Sequence, residues 1–133
     1  MTSQADVMIA AARACLGTPF HHQGRVPQQG LDCIGLIVIA LQAVGIAVQD
    51  RVDYARWPEA EALAQALAAH GAAPVSAPAP GDILLFVLAG RAQHVALCTA
   101  PEAMIHAYAP AGKVVEGSIS VVWQRRLQQA YRF

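Results

Sequence analysis

A chain of 133 residues has room for one domain with a hydrophobic core, so a single domain over residues 1–133 is expected and a two-domain cofactor enzyme is not. Apolar residues make up 56 % of it, helped by 28 alanines, and charged residues only 14 %, against roughly 25 % in ordinary soluble domains. Nine basic and nine acidic side chains cancel, which leaves no field to attract a polyanion and argues against nucleic acid as a partner.

The low charge content fits either an alanine-rich proteome or a surface covered by a partner. The N-terminus has no basic leader, and Arg13 interrupts its first apolar run, so synthesis in the cytoplasm without a signal peptide is expected. The apolar stretch from Ile34 to Leu41 is far short of the roughly 20 residues that span a bilayer, which argues against a membrane span. Cys15, Cys33 and Cys98 are odd in number and lack CxxC spacing, against both a disulfide framework and a zinc or redox pair.

In chain order, Val7, Ile9, Ala10, Ala14 and Leu16 follow a helical period from Asp6 until Gly17-Thr18-Pro19 stops it, with Cys15 on the core side. Phe20 to Leu31 reads as a long irregular loop rich in His, Gln and Gly, a kind that is often functional. The apolar run from Cys33 to Val44 could be a buried strand. A helix is preferred from its length, from Asp32 as N-cap and from Gly45 as C-terminal stop. Pro58 opens a further helix through Ala69, ended by Gly71, and the proline-rich segment Ala72 to Pro80 reads as a loop.

The character then changes. Strands are expected at Ile83 to Leu88, His94 to Thr99, Ala103 to Tyr108 and Lys113 to Glu116, followed by a short helix capped by Ser118 and an edge strand over Ala130 to Phe133. Helices followed by a meandering antiparallel sheet make an α+β domain.

If Cys33 opens a helix, the free amides and macrodipole at its first turn should acidify the thiol and later hold an oxyanion, with Gly35 allowing close approach of another segment. The alternative is that Cys33 is a small core hydrophobe. His94 and His106 fall on neighbouring strands and could supply the base and its orienting partner, or each could be structural. His22 and Gln23 are candidates for the cleft beside the nucleophile. Asp32 is a cap or a substrate contact, and Asp82 a turn former. No spacing among His21, His22, Cys33, His94 and His106 matches a metal site, and no cofactor is expected.

Leu16-Gly17-Thr18-Pro19-Phe20, Leu31-Asp32-Cys33-Ile34-Gly35-Leu36, Pro80-Gly81-Asp82-Ile83, His94-Val95-Ala96-Leu97 and Ile105-His106-Ala107 together resemble the motifs of the NlpC/P60 cysteine peptidases, in order and over nearly the whole chain. The resemblance implies a papain-like fold with N-terminal helices packed on an antiparallel sheet. It also implies Cys33 as nucleophile, His94 as base, His106 as orienting residue, and peptidoglycan stem peptides as substrate. Ile34 departs from the small Ser common after the nucleophile. Phe20, a further cleft candidate, stands where Tyr is frequent, so that no phenol donates there.

Thr18 to Gly24 and the stretch from Val122 to Phe133 are similar to tail-associated members from phages and gene transfer agents. That likeness implies tail proteins as partners and assembly into a phage-like tail. Trp123, Leu127, Tyr131 and Phe133 could form a docking surface there, or close the chain's own core.

Overall fold

The computed structural model describes residues 2–50, 54, 61–88 and 93–133. Helix α1 spans Gln4–Arg13 and begins with a capping box, in which Ser3 accepts from the Asp6 amide and Asp6 accepts from the Ser3 amide. The stretch expected to be wholly irregular holds a small antiparallel ribbon, β1 (Arg25–Val26) with β2 (Gly30–Leu31). Two paired residues per strand are too few to show as alternation.

Helix α2 spans Cys33–Ala43, and Gly45 adopts φ 77 just beyond it. The helical preference for this run was correct, with Asp32 as cap. Helix α3 covers Ala62–Ala69, followed by Gly71 at φ 91. The expected start at Pro58 and the turn at Gly90-Arg91 lie outside the described residues.

A six-stranded antiparallel sheet follows, in the order β3-β8-β4-β5-β6-β7. Its members are β3 (Ala73–Val75), β4 (Ile83–Val87), β5 (Gln93–Ala100), β6 (Ala103–Tyr108), β7 (Lys113–Ser118) and β8 (Leu127–Arg132). Strands β4 to β7 form the expected meander.

Three expectations need correction. Part of the proline-rich loop is strand β3, paired with β8 through Pro74 opposite Tyr131; as the outermost strand of the sheet, β3 tolerates a proline. Strand β8 is not an edge strand but lies between β3 and β4. Arg132 ties its end to the buried Asp82 through two bonds of 2.8 and 2.9 Å. The last helix, α4 (Val121–Arg126), is capped by Ser120 and not Ser118, which ends β7.

Alternation along the strands divides the core in two. Val95, Leu97, Ile105 and Ala107 pack with Met8 of α1 and Leu36 of α2 on the inner face. On the outer face Phe86, Ala96, Cys98 and Met104 pack against Trp123 and Leu127. Tyr131 and Phe133 are partly buried against the inner core. All four C-terminal candidates for a docking surface thus pack against the chain's own core while staying partly exposed. Among the described residues no helix is long and apolar enough to cross a membrane.

Candidate active site

Cys33 is the first residue of α2 and is 9 % exposed. The Asp32 carboxylate accepts from the Gly35 amide at 2.8 Å, which fixes the first helical turn under it. The backbone N–H groups of Val95, Ile34 and Cys33 itself all favour the Cys33 thiolate, as expected for a helix start set against a strand. Burial opposes them and is the larger effect. It pushes the thiol up to about 12, with the negative charge of Asp32 acting in the same direction. The structure therefore runs against the expected acidification of Cys33, because the dipole and the amides do not offset the loss of water.

His94 follows Gln93 at the start of β5, and His106 lies in the middle of β6. Their rings meet, with His94 Nε2 2.7 Å from His106 Nδ1. Phe86, Tyr108 and Trp123 surround the pair: Tyr108 stacks on His106 at 5.0 Å and 16°, and Trp123 lies 5.3 Å from His106 and 5.7 Å from His94. Burial in this aromatic box lowers His94 to about 3, helped by His106, and lowers His106 to about 4. Both imidazoles are neutral at pH 7. Val95 packs with Cys33 in the inner core, one residue after His94. Among the described residues no hydrogen bond joins Cys33 Sγ to either histidine.

The other expected site residues divide. Asp32 is 3 % exposed and accepts from four donors: the amides of Gly35 and Gln23, the guanidinium of Arg25 at 2.9 Å, and the Tyr54 hydroxyl. Those bonds place it as the cap that the sequence predicts and as a structural anchor. Gln23 has φ 62 and donates its side-chain amide to the Tyr54 carbonyl at 2.9 Å. His22 sets its ring edge-on to Tyr54 at 5.6 Å, and its buried Nδ1 has no hydrogen-bond partner among the described residues. Phe20 packs on the inner core.

An apolar cavity of about 310 Å³ runs along α2, lined by Ile34, Val38, Leu41, Leu67, Val95 and Phe133 among others. Phe20, His22, Gln23 and Asp32, expected at the cleft, are absent from its lining, which comes from the face of α2 turned towards α3. Arg25 and Tyr54 escaped the sequence analysis. Tyr54 joins Asp32 from 22 residues away and Arg25 from 29, and no local pattern marks either contact.

A buried thiol at a helix start and a bonded histidine pair on adjacent strands can be compared with known proteins. Solved structures with the same fold include an NlpC/P60 family protein from Bacillus cereus, at TM-score 0.76 and 21 % identity over 100 % of this chain and 41 % of that one. The NlpC/p60 domain of the peptidoglycan hydrolase SagA matches at TM-score 0.63 and 27 % identity, over 97 % of this chain and 98 % of that one. RipD from Mycobacterium tuberculosis, described as a non-catalytic NlpC/p60 domain protein adapted to peptidoglycan binding, matches at TM-score 0.65 and 18 % identity, over 100 % and 98 %. The chain thus spans about two fifths of the length of the Bacillus structure. No curated protein sequence matches it. The NlpC/P60 family profile matches residues 17–132, nearly the whole chain, and on that match, together with the shared α+β fold, the chain belongs to the NlpC/P60 family.

Proposed function

We propose that the chain is a cysteine peptidase that hydrolyses amide bonds in the peptide stems of peptidoglycan, with Cys33, His94 and His106 as its catalytic residues. The observation that carries this is the 2.7 Å contact between His94 Nε2 and His106 Nδ1, beside a strand whose Val95 amide faces the Cys33 sulfur. A neutral His94 that donates from Nε2 to His106 keeps Nδ1 as its free base. Nδ1 takes the thiol proton as sulfur adds to the amide carbonyl. The amides at the start of α2 hold the oxyanion, collapse breaks the C–N bond, and His94 returns the proton to the leaving amine. Water, deprotonated by His94, then cleaves the thioester and restores the thiol. A neutral thiol and a neutral imidazole require proton transfer to accompany attack, since burial disfavours a standing ion pair.

The test is incubation of the purified chain with defined muropeptides and mass spectrometry of the products. The expected outcome is one cleaved amide class, abolished in Cys33→Ala. A specific observation favours a second reading, a wall-binding or structural role without turnover: Cys33 is buried, its thiol lies near 12, and it has no bond to a histidine. Binding of muropeptides with no product, equal for the native chain and Cys33→Ala, supports that alternative.

We propose further that the chain acts in a phage-like tail, on the likeness of its loop before Cys33 and of its C-terminal stretch to tail-associated enzymes. Trp123, Leu127, Tyr131 and Phe133 pack against the core yet stay partly exposed, so contact with tail proteins can use what they leave open or other surface. The expected finding is a fixed low copy number in purified particles, near the tail tip by electron microscopy. Particles that lack the chain while free protein holds all the activity refute the tail role alone.

A further inference from the structure

A cap carboxylate beside a nucleophilic sulfur is an electrostatic liability. The Asp32 carboxylate accepts from four donors, and its negative charge opposes formation of the Cys33 thiolate next to it. Arg25 answers that charge. Its Nη1 donates to Asp32 Oδ1 at 2.9 Å and to the Gly24 carbonyl at 2.9 Å, its Nη2 to the Tyr54 hydroxyl at 2.8 Å, and its Nε to Asp50 at 2.8 Å. The guanidinium also lies 5.5 Å from the centre of the Tyr54 ring. Burial weakens its charge, but the bonds to Asp50 and Tyr54 and the Asp32 carboxylate outweigh burial and hold Arg25 firmly protonated.

The packing at this point leaves no slack. A Cβ on Gly35 would stand 2.2 Å from the Gly24 carbonyl oxygen and 3.2 Å from Arg25 Nη1. Gln23 holds a left-handed backbone while its amide donates to Asp32 and its side chain donates to the Tyr54 carbonyl. Other titratable or charged groups on elements packed against α2 are His94 and Cys98 on β5, His106 and Tyr108 on β6, and Asp6 and Arg13 on α1, where Asp6 caps its own helix and Arg13 pairs with Glu116. His22 packs on Tyr54 from the loop before β1.

We propose that Arg25, braced by Tyr54, is a positioning residue for Cys33: it holds the Asp32 carboxylate in its capping geometry and balances that charge beside the sulfur. The proposal rests on Cys33 being the nucleophile, and its test needs no wall substrate, so it can fail independently of the hydrolase assignment. The probe is iodoacetamide at pH 8.5 on the full folded chain, with the rate at each cysteine read by peptide mass spectrometry. Cys15 and Cys98, both buried, serve as internal references for opening of the fold.

Arg25→Met should slow Cys33 about tenfold relative to Cys15 and Cys98, equivalent to one pKa unit. Arg25→Lys, which keeps the charge, should stay within about threefold of the native ratio. The double variant Arg25→Met/Asp32→Asn, which removes both charges, should return towards it. A merely structural role predicts the opposite order, with the double variant the worst. If Arg25→Met does not fold, Asp32→Asn alone decides, since an uncompensated Arg25 should then speed Cys33 labelling. A Cys33 ratio unmoved in Arg25→Met, a double variant as slow as the single one, or an unmoved Asp32→Asn overturns the proposal.

Discussion

His106 holds the ring of His94 in place. Its Nδ1 meets His94 Nε2 at 2.7 Å, and its ring is held flat against Tyr108 and edge-on to Trp123. Both rings are buried, so any rotation of His94 would leave a polar nitrogen without a partner, at a cost of about 1 to 3 kcal/mol. The pair therefore fixes the orientation of His94. His106→Ala should slow cleavage of a defined muropeptide by roughly 5- to 150-fold, the same energy range expressed as a rate. His106→Asn or His106→Gln should retain part of the rate, because an amide oxygen can still accept from Nε2. The check is the single-bond cleavage rate of each variant, with folding followed by circular dichroism. Equal rates for the native chain and His106→Ala would remove His106 from the mechanism.

At the scale of elements, what could be read in the sequence was what neighbouring residues decide. Helix α2 was legible because cap, apolar run and stop are contiguous from Asp32 to Gly45, and β6 was legible from Ala103 to Tyr108 because Pro101 and Pro110 bracket it. The two histidines could be placed on adjacent strands for the same reason, since only a short turn separates β5 from β6. Strand β3 and the interior position of β8 were not legible. Ala73–Val75 carries a proline and no alternation, and its strand character comes from pairing with Ala130, Tyr131 and Arg132, more than 50 positions along the chain. The Arg25 contacts were hidden for a similar reason, as Tyr54 and Asp32 converge on the guanidinium from separate segments. Gly35 was expected to admit a close neighbour, and it does: the Gly24 carbonyl leaves no room there for any side chain. The electrostatics of Cys33 were misjudged because a helix start is a local feature, whereas the burial that overrides it comes from the assembled core.

For the whole molecule, the same burial that keeps the site neutral ties stability to pH. His94 and His106 have folded values of about 3 and about 4, against about 6.5 in an unfolded chain. Between those limits the unfolded state binds more protons, so their contribution is complete above pH 6.5 and is lost as pH falls towards 4. Cys33 has the opposite sign. Its folded value of about 12 lies above the 9.0 of a free thiol, so its contribution is complete below pH 9 and is lost as pH rises towards 12. A plateau of stability from about pH 6.5 to 9 is expected, bounded by the histidine pair on the acid side and aided by the thiol on the alkaline side. Each histidine protonated only in the unfolded chain adds a slope of about 1.4 kcal/mol per pH unit, so two give about 2.7. Urea midpoints measured between pH 5 and 6, above the main carboxylate range, should therefore show an acid limb about half as steep in His106→Asn as in the native chain. An unchanged slope would mean that the pair already takes up protons in the folded state, and that the aromatic box around Trp123 and Tyr108 does not keep it neutral.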